Sequence, residues 1–469
     1  MSLPKAFEND DAYFKAATEF LKKYSWVFSE ANTSCIKALD LMPQVFKDYF
    51  LNAPNESLNA FPYVTEPLDY CPTELQDFRL RISQLTPEAI TATALVRVPR
   101  KSNNLNRKIG QKKLHEIEQL AANIHEHSTK DATQVLVDLG SGLGYLSEAL
   151  LELNDNYLIL GLEADEQRVI SAQQRCKKLL PQKALNSISY RQEFISATPK
   201  SRDRIEAYTL ELLQSSGLSP ELSTISIAII GLHACADLSV SAMRLFLTMP
   251  QVRSLHIMPC CYHKLALREG VESSASCPFV NFPLSNGLNK TAAKLPECCF
   301  NRPFLRLACQ ETRSRWRKDS PEHAKHGHQM YLRALANALC DDPDELVKLH
   351  SKDASLSHKD ILNFEGLCRR YRLHSRVTGQ PLSWRLIHGI RFSQINERYS
   401  EGRGSRLAEA LCCLQASMQK LCENLLLYDR LCFLKEAAAE QRQPLEVRYE
   451  QLFDEQVSPR CQVLIAKKL

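Results

Sequence analysis

Residues 135–153 read "VLVDLGSGLGYLSEALLEL". The apolar run ending at Asp138 predicts a buried strand over 134–138. Gly140, Gly142 and Gly144 follow, with Ser141 between the first two, and a helical pattern starts near Tyr145. Glycines at a strand–helix turn let the backbone bend sharply and approach a ligand at the helix N-terminus. A tight turn without a ligand would use the same residues, so the next element decides. A second apolar run, 157–163, ends at Glu163, 19 residues after Gly144. A carboxylate at that offset is placed to accept hydrogen bonds from a ribose diol.

Further apolar runs at 187–192, 225–232 and 252–259 alternate with stretches of helical period. This alternation predicts an α/β fold with a doubly wound, mainly parallel sheet. The helix entering it, "IGQKKLHEIEQLAANIH" (109–125), sets Ile117, Leu120, Ala121 and Ile124 on one face. Upstream, 1–105 reads as a helical region, with apolar groups three and four apart over 11–52, prolines between 54 and 72, and a polar linker at 97–107. Residues 106–265 read as the core with the cofactor site and 266–430 as a mainly helical insertion. The segment 431–469 reads as a helix and two closing strands, 445–453 and 461–469.

The chain has 469 residues, enough for two or three domains. Its 59 basic and 54 acidic residues give a net charge of +5, too small a bias to identify a nucleic-acid partner. The start "MSLPKAFENDDAYF" lacks an apolar signal core, and no apolar run approaches the length of a membrane span. Seventeen cysteines without a secretory signal then suggest reduced thiols in the cytoplasm or nucleus.

The D-x-G-x-G-x-G form resembles motif I of the class I S-adenosylmethionine-dependent methyltransferases, whereas dinucleotide sites favour G-x-G-x-x-G. Other stretches extend the likeness: "KKLHE" (112–116), "GLHACADLS" (231–239), "PCCYHKL" (259–265), "LACQE" (307–311) with Trp316, "DRLCFLKE" (429–436) and "SPR" (458–460). Together they resemble the methyltransferase-like protein 25 family, also labelled ribosomal RNA adenine dimethylase domain-containing proteins. The resemblance implies a Rossmann-like sheet of seven strands whose last two form an edge hairpin, and S-adenosylmethionine as cofactor. It implies that Asp138, Gly140, Ser141, Gly142 and Gly144 hold the methionine part, and Glu163 the ribose. Glu193 and Phe194, after the third strand, would lie near the adenine. Adenine-N6 methyltransferases carry an Asn or Asp, two prolines and an aromatic after the fourth strand. This chain has "GLHACADL" there, a departure that puts adenine dimethylation in doubt. The His-x-Cys and Cys-Cys elements are closer to those of tRNA acceptor-stem 2′-O-methyltransferases.

In a sheet ordered 3-2-1-4-5, His233, Cys235 and Asp237 after the fourth strand should face Cys260 and Cys261 after the fifth. These five are expected to form one substrate-side cluster, without metal, that orients an acceptor and removes its proton. A zinc site or simple loop packing are the alternatives. Lys112, Lys113 and His115, with Glu116, read either as a solvated helix face with a Lys112–Glu116 pair at i,i+4 or as a lid whose cations meet the cofactor carboxylate or a substrate phosphate. Arg313, Arg315 and Trp316, in a basic stretch, suit phosphates and stacked bases, though a charged helix would look the same. The leading reading is a methyltransferase acting on RNA. A protein methyltransferase and a non-catalytic cofactor-binding adaptor remain open, and no partner protein is identified.

Overall fold

The computed structural model describes residues 1–64, 66–88, 90–91, 109–218, 225–271, 277–296, 299–309, 311, 316, 321–350, 363–400 and 402–469. The polar linker expected at 97–107 lies outside them. Two compact units are present. One is Met1–Thr18 with Leu85–Thr312 and Lys420–Leu469; the other is Glu19–Gln84 with Arg313–Gln419. The strands in chain order are β1 (Ile90–Thr91), β2 (Val135–Leu139), β3 (Leu158–Glu163), β4 (Ile188–Gln192), β5 (Ile227–Cys235), β6 (Val252–Cys260), β7 (Glu345–Leu349), β8 (Tyr371–Ser375), β9 (Pro381–Leu382), β10 (Leu445–Gln451) and β11 (Gln462–Lys468).

In the first unit the sheet runs β1-β10-β11-β6-β5-β2-β3-β4. The inner strands β3-β2-β5-β6 pair in parallel, and β4 joins β3 in parallel at one edge. β11 is antiparallel to both β6 and β10. This is the expected seven-stranded sheet with its C-terminal hairpin, extended by the two-residue β1 alongside β10. Every residue of β2 and β3 is buried, because helices cover both faces, so these strands read as unbroken apolar runs rather than alternating ones. Ile117, Leu120, Ala121 and Ile124 of the helix Gln111–Lys130 pack into the same core as Leu136, Ile159, Ile230, Val463 and Ile465.

The second unit carries the helices Cys35–Leu41, Gln44–Asn52, Asn55–Ala60, Thr73–Leu85, Glu322–Ala338 and Leu386–Arg398. It also holds a small antiparallel sheet, β7-β8-β9. The N-terminal segment 1–105 and the insertion 266–430 are each divided between the two units. Most of the helical start joins the later part of the insertion, and 266–312 belongs with the large sheet of the first unit. Apolar periodicity reports helices, not which helices share a core, so this partition lies beyond a linear reading.

Candidate active site

The turn after β2 is built by positive φ angles. Gly140, Gly142 and Gly144 have φ of 71°, 58° and 78°, a region that penalises any side chain. Gly144 is also sterically required: a Cβ there would lie 2.1 Å from Tyr190 Oη. Gly142 instead faces open space, and the atom nearest to a Cβ at that position would be Gly140 O, at 3.9 Å. The loop is tied to β3 by Gly140 and Ser141 N–H groups donating to Leu162 O at 2.8 and 3.2 Å.

Glu163 ends β3 beside this loop. Its carboxylate accepts from the Gly142 N–H at 3.0 Å and the Asp165 N–H at 3.1 Å. A carboxylate offers about four lone-pair sites, so acceptor capacity remains for two ribose hydroxyls. Glu193 is buried and chelated by Arg204 at 2.7 and 2.8 Å, and its N–H donates to Glu163 O. Its carboxylate is therefore engaged, whereas Phe194 beside it is 79% exposed and offers a ring face.

Asp138 is buried and accepts a hydrogen bond from Ser147 Oγ at 2.9 Å. Burial pushes its carboxyl up to about 7, against the Ser147 hydrogen bond. The folded pKa exceeds the ordinary carboxylate value, so this group's contribution to stability is full below pH ~4 and is lost as pH rises through about 7. The loss is on the order of 4 kcal/mol. Asp138→Asn should flatten that part of the stability–pH curve while keeping an acceptor for Ser147. Denaturant melts between pH 5 and 8.5 check this, and an unchanged slope would contradict it.

Along the same carboxyl edge of the sheet, at the ends of β5 and β6, the expected single cluster is divided in three. The register between β5 and β6 shifts between Gly231 and Ala234, so an extra residue of β5 bulges at 232–233. His233 turns to the helix Gln111–Lys130, with Nε2 3.5 Å from Glu116 Oε2. Cys235 turns to the Cys260 thiol at 3.1 Å, and with Cys261 the three sulfurs lie within 4.8 Å of one another. Asp237 opens the helix Asp237–Thr248 and accepts from the Ala266 N–H at 2.9 Å and Asn281 Nδ2 at 2.8 Å. Its oxygens are thus engaged in fixing the loop after β6. Ala236, with φ 50° and ψ −125°, breaks the strand between the last two groups. Strict alternation would have kept them together; the bulge and this residue do not.

Glu116, read from the sequence only as the i,i+4 partner of Lys112 on a solvated face, is buried. It is 2% exposed, accepts from Ser458 Oγ at 2.6 Å and lies 4.0 Å from Lys112 Nζ. Burial works against its charged form, yet hydrogen bonds with His233 and Ser458 hold its carboxyl below the usual range. "KKLHE" and "SPR" are each visible in the sequence, but nothing local couples residues 342 apart. Lys113 lies over the Tyr145 ring at 4.3 Å, with Arg175 also over that ring at 4.1 Å, and so stands at the glycine-loop end of the site. His115 accepts from the Asp454 N–H and packs edge-on to Phe453, a structural tie.

Trp316, expected as a stacking platform, is 8% exposed and stacked on His323 with centroids 5.3 Å apart, which leaves little face for a base. Arg313 and Arg315 lie outside the described residues. Cations do gather around Cys261: Lys264 and Arg460 act on its thiol, while Arg302 donates to His263 O and Arg306 Nη1 lies 3.3 Å from His263 Nε2. Among the described residues, no helix is long and apolar enough to cross a membrane.

Residues 112–268 match a family model described as a methyltransferase domain. The chain is 26% identical over 247 residues to the Mus musculus protein described as "Probable methyltransferase-like protein 25", and 24% identical over 240 residues to the Homo sapiens protein of that description. These alignments cover 51% of this chain but only 37% and 36% of those proteins, so the match spans little more than a third of the relatives' own length. The structure of the plantazolicin methyltransferase BpumL in complex with SAH covers 69% of this chain and 88% of its own at 12% identity. Its TM-score of 0.21 is too low to bear on the fold. The glycine cradle, the strand order with its closing hairpin and the domain match agree: the chain carries a class I, S-adenosylmethionine-dependent methyltransferase domain, and about half of it is similar to methyltransferase-like protein 25.

Proposed function

We propose that this chain transfers a methyl group from S-adenosylmethionine to RNA, in the cytoplasm or nucleus. The observation that carries the methyl-transfer reading is the cradle: a turn of three left-handed glycines, one of which, Gly142, donates its N–H to the buried carboxylate of Glu163 at 3.0 Å. The RNA reading is supported by Lys264, Arg302, Arg306 and Arg460 around the ends of β5 and β6, where phosphates would be held as point charges and forks.

The bound cofactor supplies an electrophilic methyl on a sulfonium sulfur. The protein's task is to hold the acceptor in line with that methyl and to take the acceptor's proton. His233, 43% exposed and backed by the buried Glu116, is the candidate base; Glu116 and Ser458 are its positioning residues. Asp237 serves by fixing the loop after β6 rather than by touching the acceptor.

Glu163→Ala should weaken S-adenosylmethionine binding by about 1–3 kcal/mol through lost ribose hydrogen bonds. Calorimetry on the folded variant checks this, and wild-type affinity would remove Glu163 from the cofactor site. Mass spectrometry of nucleosides and peptides, from cells with and without the protein, tests the acceptor. A methylated nucleoside that disappears with the protein supports RNA. A methylated peptide that disappears instead would replace RNA by protein as the substrate.

A further inference from the structure

β5 and β6 run parallel with Cys235 opposite Cys260. Cys261 then leaves the strand with φ 52°, a left-handed conformation that side-chain-bearing residues adopt at a cost. That turn brings the third thiol back to the other two, within 4.8 Å. Thiols gain little from one another, because S–H is a weak donor and sulfur a weak acceptor. Around a tetrahedral soft cation the same arrangement is favourable. Zn–S bonds of about 2.3 Å set ligand sulfurs roughly 3.8 Å apart, inside the envelope seen here.

We propose that Cys235, Cys260 and Cys261 form a binding site for a soft divalent cation, Zn²⁺ in the first instance, at the carboxyl ends of β5 and β6. Three thiolates outweigh the charge of the ion, so the bound site would carry a net negative charge. Cys260 is buried while Cys235 and Cys261 are partly exposed, so the fourth coordination position opens outward to water or a donor atom of the acceptor. The expectation of a metal-free cluster rests on adjacent Cys260–Cys261 lacking C-x-x-C spacing; the third ligand comes from the neighbouring strand, which spacing cannot show.

The test uses the full chain, reduced and stripped of metal, with Co²⁺ as the probe. A thiolate-to-cobalt charge-transfer absorption should saturate at about one equivalent per chain, be displaced by Zn²⁺, and be lost in Cys261→Ser and Cys235→Ser. Absence of that absorption in the wild type, or its survival in Cys261→Ser, overturns the site. A second readout does not depend on how the variants fold: Zn²⁺ should protect the three cysteines of the wild type from iodoacetamide, peptide by peptide. Alkylation at the same rate with and without Zn²⁺ overturns the proposal. S-Adenosylmethionine binding, measured by calorimetry on the same sample, reads the methyltransferase proposal separately.

Discussion

Gly142→Arg is expected to abolish S-adenosylmethionine binding while leaving the protein folded. The backbone there has φ 58°, which costs a side chain roughly 1–2 kcal/mol, a tolerable fraction of a domain's stability. A Cβ meets nothing closer than 3.9 Å, so no core contact is lost. The arginine must occupy the open space over the loop, where Glu163 and the glycine N–H groups would meet the cofactor. Gly144 is a poor choice for the same experiment, since its Cβ would collide with the buried Tyr190 ring and confound folding with binding. Calorimetry and a thermal melt on Gly142→Arg give the two readouts. Binding near wild-type affinity in the variant would mean that the ligand does not approach this loop.

Removing residues 461–469 should unfold the first unit rather than trim it. β11 lies between β6 and β10, paired to both. Val463, Leu464, Ile465 and Ala466 are all at most 2% exposed. Their loss strips the edge of β6 of its partner and separates β10 from the sheet. Burial of these four alone contributes on the order of 6–10 kcal/mol by apolar area, comparable with the whole stability of a domain. Circular dichroism of the truncated chain should show no cooperative transition. A cooperative melt at the full-length temperature would contradict the closing role of the hairpin.

Local chemistry is what the sequence makes legible. The glycine loop, Glu163 and the strands β2 to β6 follow from residue type and period within a dozen positions. The strands β10 and β11 are legible as short strand patterns near the C-terminus, while their pairing as an edge hairpin is what the family resemblance implies. Features set by an irregularity, or by pairing across the chain, are not. The meeting of Cys235 with Cys260 and Cys261 follows from the neighbouring strand ends, but the extra residue in β5 that sends His233 to Glu116 is something period-two reasoning cannot foresee. Ser458 meets Glu116 only because the C-terminal strands return to the sheet. β7 and β8 fall inside a stretch expected to be mainly helical, because "ELVKL" and "YRLHS" are short and half polar. Trp316 looks available among arginines, but ring stacking on His323 buries it.

The central claim is that the cradle after β2 holds S-adenosylmethionine. Titration calorimetry of the folded wild-type chain with S-adenosylmethionine measures it most directly. Saturable binding at one site, lost in Gly142→Arg, is the predicted result; no binding to a chain that melts cooperatively would contradict the account.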